Sequence, residues 1–248
     1  MSRLVYYFDI GNTRLKLWRC RDGQVEGRAS LGHDGNPAHV IASLPDLFME
    51  RPDAVLGGSV LRDDAMLPFT MACEAKWLLT PEYAHSSLQH SGVINAYGEH
   101  SAASLGIDRW LGLLAVSTMS ANVCVVDCGT AITLDVLRHD GQHLGGYILP
   151  GLDLMADVLM RETGRVRVLA SVSSALVLGR STSEAVLNGG MMAVVSLIER
   201  VALEYQVKVV LTGGGAEPVS HLLSIPHAVE PELLLHGLQR YFADAGIR

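Results

Sequence analysis

The chain has 248 residues, 49% of them hydrophobic and 18% charged, a globular composition with enough apolar material for one large domain or two ordinary ones. Its formal net charge of -7, from 26 acidic against 19 basic residues, would repel a nucleic-acid backbone unless a basic face were concentrated somewhere, and the one dense basic stretch is RETGRVRV with Arg161, Arg165 and Arg167. No apolar run is read as long enough to cross a bilayer, and MSRLVYYFDIGNT enters a strand without a signal-peptide pattern, so the expected location is the cytoplasm.

The first element is a strand through Val5–Phe8 that ends on an acid, Asp9, turns through Gly11, Asn12 and Thr13, and resumes as an alternating strand with Leu15 and Leu17 around Lys16. Residues 38–49 carry apolar side chains at helical spacing, interrupted by Pro45, and residues 54–60 (AVLGGSV) read as a strand. Ser101–Ser117 predicts a helix with Asp108 and Arg109 on its first turns.

Residues 123–136, VCVVDCGTAITLDV, then repeat the opening pattern: an apolar strand, an acid (Asp127), a small-residue turn (Gly129, Thr130) and a second strand. Repetition near half the chain length implies two similar domains, each beginning with a β-hairpin, with the division placed at residues 1–120 and 121–248. Acid, unobstructed turn N–H groups and a hydroxyl, presented twice, are what a nucleoside triphosphate with a metal requires, and a pair of such hairpins would clamp it across a central cleft. Neither GxxxxGK[ST] nor a strand followed by GxGxxG is present.

Further on, HDGQH predicts a turn between strands, with His139 and His143 expected on the surface rather than on a metal. A helix after Pro150 has an apolar face of Leu152, Met155, Val158 and Leu159 that is either core or a subunit contact. STSE at Ser181 is a capping box that opens a long apolar helix, in which Gly189 and Gly190 would admit a neighbouring backbone. The strand in VKVVLTGGGAEPV runs into a turn, Thr212–Ala216, whose Gly213 and Gly214 could lie against a flat nucleoside, and EPELLLHGLQRYFADAG closes the chain as an amphipathic helix. The four cysteines lack CxxC spacing and are read as reduced thiols.

The ordered set DIGNT, Tyr97 followed by LGIDRW, DCGTA, GGYILPG, Thr163, Thr182 and TGGGA resembles the type III pantothenate kinases, members of the sugar kinase, heat-shock and actin superfamily. The resemblance implies an α/β fold of two actin-like (ribonuclease H-like) domains, each a mixed sheet flanked by helices, with the active site in the cleft between them. It implies ATP-dependent phosphorylation of pantothenate to 4'-phosphopantothenate, the first step toward coenzyme A, by a homodimer using magnesium and a monovalent cation, potassium or ammonium. Carried over by position, Asp108 is the general base, and Tyr97, Gly106, Ile107, Asp108, Arg109 and Thr182 hold pantothenate, with Thr163 approaching the neighbouring subunit's substrate. Asp9, Gly11, Asn12, Thr13, Lys16, Gly129, Thr130, Gly213 and Gly214 bind ATP, Asp9 takes magnesium and Asp127 the monovalent cation. Two departures stand out: GEHSAAS lacks the proline usual after the tyrosine, and Gly215 replaces a common acid. Alternatives are an actin-like kinase for another small-molecule hydroxyl and a non-catalytic regulatory protein of the same fold; the retained acids favour the enzyme, and the negative charge disfavours DNA binding.

Overall fold

The computed structural model describes residues 2–163 and 176–244, which form two compact units: residues 1–115 with 233–248, and residues 116–232. Arg165 and Arg167 of the basic stretch lie outside the described residues, as does the side chain of Thr163.

In the first unit β1 (Leu4–Ile10), β2 (Arg14–Arg21) and β3 (Gln24–Gly32) form an antiparallel meander. The short helix α1 (Ala38–Ala42) and a 3₁₀ turn, Asp46–Phe48, follow, so Pro45 does break the helical pattern. Then come β4 (Ala54–Ser59), α2 (Asp63–Trp77) and β5 (Glu82–Tyr83). The sheet order is β3-β2-β1-β4-β5, with β1, β4 and β5 parallel. Alternation in β1 sends Tyr6, Phe8 and Ile10 into a core with Phe48, Phe69 and Trp77, where the Tyr6 ring meets Phe48 and Trp77 edge-on at 5.3 and 5.2 Å. Beyond β5 a small hairpin, β6 (Gln89–His90) with β7 (Val93–Ile94), leads to α3 (Ile107–Val116). The helix therefore starts six residues later than Ser101; only a 3₁₀ turn occupies Ala102–Ser104, and Asp108 sits in the true first turn.

The second unit repeats this plan. Strands β8 (Val123–Cys128), β9 (Ala131–Leu137) and β10 (His143–Pro150) form the meander. They are followed by α4 (Leu152–Thr163), α5 (Thr182–Tyr205), β11 (Lys208–Thr212), the short α6 (Ala216–Ser220) and β12 (His227–Val229). Sheet order β10-β9-β8-β11-β12 and the parallel pairing of β8, β11 and β12 match the first unit strand for strand. The Ser181 hydroxyl caps α5 by accepting the Glu184 N–H at 3.2 Å. By length and composition α5 could span a bilayer, contrary to the reading of the sequence, yet its Met191, Val194, Val195, Ile198 and Val201 pack on β8, β9 and β11 as core. The last helix, α7 (Leu233–Asp244), belongs to the first unit, where Gly237 packs on Leu111 of α3.

Three expectations change. Leu152 and Met155 of α4 pack on the second unit's own core, with Met155 Sδ beside Gly190, whereas Leu154, Val158 and Leu159 are exposed. Side chains, not a backbone, thus meet Gly190, and nothing lies within 4 Å of the missing side chain of Gly189. His143 is fully buried rather than on the surface, because register places it beside Asp135, whose Oδ1 lies 2.9 Å from Nε2. As the sequence reading has them, all four cysteines are outside any disulfide, and all are buried; burial pushes the thiols of Cys73, Cys124 and Cys128 up to about 12, so those three stay protonated and inert.

Candidate active site

Asp9 is the penultimate residue of β1, paired with Lys16 on β2 and Gly58 on β4; Asp127 is the penultimate residue of β8, paired with Thr133 on β9 and Thr212 on β11. The two acids therefore hold equivalent places, at the tip of the central strand where its antiparallel and parallel neighbours diverge.

In the first unit Asp9 is 5% exposed and its Oδ2 lies 3.6 Å from Lys16 Nζ. The turn that follows is closed by the Gly11 N–H donating to Arg14 O at 2.9 Å, leaving Asn12 and Thr13 exposed. His33 at the end of β3 backs this turn: its N–H donates to Thr13 O at 3.0 Å, its Nδ1 accepts the Gly35 N–H at 3.2 Å, and its Nε2–H therefore donates to Gly11 O at 3.0 Å. Sequence reading missed His33, since nothing in its spacing ties it to a turn twenty-two residues earlier.

The residues that the resemblance assigns to the acceptor gather at the start of α3. A Cβ on Gly58, the β4 partner of Asp9, would lie 3.1 Å from Ile107, which puts the helix start beside the tip of the sheet. Asp108 Oδ1 accepts the Arg109 N–H at 2.8 Å and lies only 2.6 Å from where a Gly106 Cβ would be, so Gly106 leaves room for the carboxylate to fold back on its own helix terminus. Arg109 is 8% exposed, and its Nη1 donates to the Tyr97 hydroxyl at 2.9 Å, with the guanidinium 5.8 Å from the ring centre. Tyr97, Gly106, Ile107, Asp108 and Arg109 thus lie together.

In the second unit the turn after Asp127 is closed by the Gly129 N–H donating to Ala131 O at 3.0 Å, with Thr130 exposed. The Gly151 N–H at the start of α4 donates to Thr130 O at 2.9 Å, a contact absent from the sequence-based site. The glycine loop after β11 lies against the same strand end: the Gly215 N–H donates to Cys128 O at 2.8 Å. Gly213 has φ +88, and a Cβ there would collide with Asp127 Oδ1 and sit 2.8 Å from the Cys128 backbone. Of the two glycines assigned to a nucleoside, Gly213 therefore seats the Asp127 carboxylate, and Gly214 is the open one, with nothing within 4 Å of its missing side chain. Gly213→Ala should cost about 1–3 kcal/mol through the strained backbone and displace Asp127 besides. A melting curve and the KM for ATP check this: a variant with unchanged Tm and unchanged KM would refute the packing argument. Thr182 is the first residue of α5 and exposed, and Thr163 ends α4.

Comparison with known proteins agrees with the fold and the family. The type III pantothenate kinase family model matches residues 5–204. A type III pantothenate kinase from Acinetobacter baumannii (strain ACICU) is 36% identical over 239 residues, covering 96% of both chains. One from Chromohalobacter salexigens is 35% identical over 252 residues, covering 96% of this chain and 87% of its own. Among solved structures, a Baf family protein from Campylobacter jejuni superposes with TM-score 0.66 at 19% identity, over 97% of this chain and 98% of that one. Component A of (R)-2-hydroxyglutaryl-CoA dehydratase from Acidaminococcus fermentans gives 0.54 at 13% identity, over 96% of each chain. These structural likenesses carry the fold alone, that of two actin-like units, each a mixed sheet flanked by helices. With its model match spanning most of the chain and its relatives sharing nearly full length, this chain belongs to the type III pantothenate kinase family.

Proposed function

We propose that the chain transfers the γ-phosphoryl group of ATP to the primary hydroxyl of pantothenate, giving 4'-phosphopantothenate, as a cytoplasmic enzyme of coenzyme A synthesis. The observation that carries this reading, beyond membership of the family, is the duplicated strand-tip acid with its open turn, Asp9 in one unit and Asp127 in the other, together with the Gly106–Arg109 and Tyr97 cluster.

Phosphoryl transfer asks a protein for positioning and charge neutralisation more than for covalent chemistry. The exposed turn residues Asn12, Thr13 and Thr130, with Gly11, Gly129 and Gly214, offer donors to phosphate oxygens, and Lys16 adds a cation next to Asp9. Asp108 accepts the proton of the attacking hydroxyl, while Arg109 and Tyr97 bind the pantothenate carboxylate and amide end, and Thr182 and Thr163 complete substrate contacts. Arg109 holds its fork in one orientation through Tyr97, which suits a planar carboxylate.

Among the described residues no three His, Cys, Asp or Glu side chains converge as a metal cage, so the protein's donor set fits a magnesium ion only through a single carboxylate, Asp9, the rest being left to phosphate oxygens and water. Magnesium when bound supplies charge neutralisation at the phosphates. Asp127, flanked by Thr133 and Thr212, fits a large monovalent cation, potassium or ammonium, for which a carboxylate with hydroxyl and carbonyl oxygens suffices.

A second copy of the chain is proposed to cover Leu154, Val158 and Leu159 of α4, with Tyr147 and Ile148 of β10, all of them exposed. Leu159→Glu should then yield a folded monomer by sedimentation with little activity, and an active dimer would refute this surface. The function itself is tested by ADP release from the purified protein with ATP, magnesium and potassium. Release dependent on pantothenate, and absent with glycerol, sugars or acetate, is expected; release with another acceptor and none with pantothenate would overturn the reading.

A further inference from the structure

Twenty-three residues, 84–106, separate β5 from α3, and Tyr97 lies in the middle of them with 38% of its surface exposed. A segment of that length without long elements would not fix an exposed tyrosine to the resolution that recognition needs. The hydrogen bonds of this loop converge on one side chain, Asn95, which is 3% exposed and which the sequence did not single out.

Among the described residues, the Asn95 amide is hydrogen-bonded to main-chain groups. Its Nδ2 donates to Ser87 O at 3.2 Å and to Ala102 O at 3.1 Å, joining the stretch before the β6–β7 hairpin to the 3₁₀ turn before α3. Its Oδ1 accepts the Tyr97 N–H at 3.0 Å. Its own N–H donates to Leu88 O at 2.9 Å, and its carbonyl receives the Gly98 N–H at 3.4 Å. Two carbonyls on one side and an N–H on the other are what a primary amide satisfies and what an isosteric carboxylate or leucine does not. From Tyr97 the chain of contacts continues through the hydroxyl to Arg109 Nη1. The far side of the hairpin is anchored too: the His90 ring stacks on Tyr241 of α7 at 4.3 Å, and the Tyr241 hydroxyl accepts the His85 N–H at 3.2 Å.

We propose that Asn95 is a positioning residue for phosphoryl acceptance: by tying residues 87, 97 and 102 together it sets the Tyr97 hydroxyl, and through it the Arg109 guanidinium, in the place where the acceptor is held. This rests on the reading that Tyr97 and Arg109 bind the acceptor. Asn95 itself touches no substrate; its effect passes through Tyr97.

The test is steady-state kinetics of Asn95→Ala and Asn95→Asp, varying pantothenate and ATP separately, with Tyr97→Phe and Arg109→Lys measured alongside and thermal melts of all four. Asn95→Ala should raise the KM for pantothenate about tenfold or more, since a displacement near an ångström is costly, while the KM for ATP stays within about twofold. Asn95→Asp keeps the acceptor for the Tyr97 N–H but turns a charge toward two carbonyls, so it should be as poor at about pH 8 and recover as the pH falls and the carboxyl gains a donor proton. That recovery, absent from Asn95→Ala and from the wild type, also covers the case in which the alanine variant fails to fold. A folded Asn95→Ala with an unchanged pantothenate KM, or one in which both KM values rise together, overturns the proposal if Tyr97→Phe and Arg109→Lys still raise the pantothenate KM. If those two leave it unmoved, the acceptor-site reading falls, and the role of Asn95 with it.

Discussion

Asp9→Asn should leave a folded protein with turnover lowered by about 10³-fold, the scale of losing a preorganised charge in phosphoryl transfer. The substitution is nearly isosteric, and Asp9 keeps its place through backbone pairing with Lys16 and Gly58, which the side chain does not enter. What disappears is the negative charge at a 5% exposed position, facing Lys16 Nζ at 3.6 Å. Lys16 retains about a third of its side chain in solvent, so it can rehydrate instead of remaining a buried unpaired cation, and the stability cost should be small compared with the kinetic one. Single-turnover phosphoryl transfer, a magnesium titration and a thermal melt separate the two effects. Near-normal turnover in a folded variant would remove Asp9 from the catalytic machinery, and loss of the fold would make it a structural acid.

The repeat that motivates this experiment was legible in the residues because its signal is local: an apolar strand, an acid, then Gly with Asn-Thr or Thr-Ala, occurring twice at half-chain spacing. The strand orders bear that out, and β1 and β8 carry their acids at equivalent positions. Less local features were harder to read. Helix α2 went unseen because Pro68, in its second turn, removes an intrahelical N–H and reads as a break, and because its apolar residues do not gather on one clear face. The start of α3 was placed too early because Ser101 resembles a cap, whereas the chain spends Ala102–Ser104 on a 3₁₀ turn.

Orientation of α4 could not come from periodicity either. Its four apolar residues read as one face, core or subunit contact, and only the tertiary fold decides that Leu152 and Met155 pack on the core while Val158 and Leu159 stay exposed. The buried pair His143 and Asp135 depends on the cross-strand register of β9 and β10, and the role of Gly213 depends on β11 lying beside β8. The first is set by cross-strand register and the second by a crossover between strands distant in sequence, and neither leaves a signal in residue spacing.

Asp108→Asn should separate from Asp9→Asn in kind. Asp108 occupies the first turn of α3, where its Oδ1 accepts the Arg109 N–H at 2.8 Å, and an asparagine oxygen can accept that same bond. The helix start, the buried Arg109 and the Arg109–Tyr97 hydrogen bond should therefore persist, and with them the affinity for pantothenate. An amide, however, takes no proton from a hydroxyl. Transfer should slow by about 10²-fold or more, the usual contribution of a general base, with ATP binding by calorimetry unchanged. The competing account makes Asp108 a helix-terminal acid whose charge merely complements the α3 dipole, worth about 0.3–1 kcal/mol of stability and nothing in the rate. The two accounts diverge on one measurement, the single-turnover rate at saturating ATP and pantothenate: a rate equal to wild type in a variant with a slightly lowered Tm assigns Asp108 to the helix, and a slowed rate at unchanged Tm assigns it to the proton.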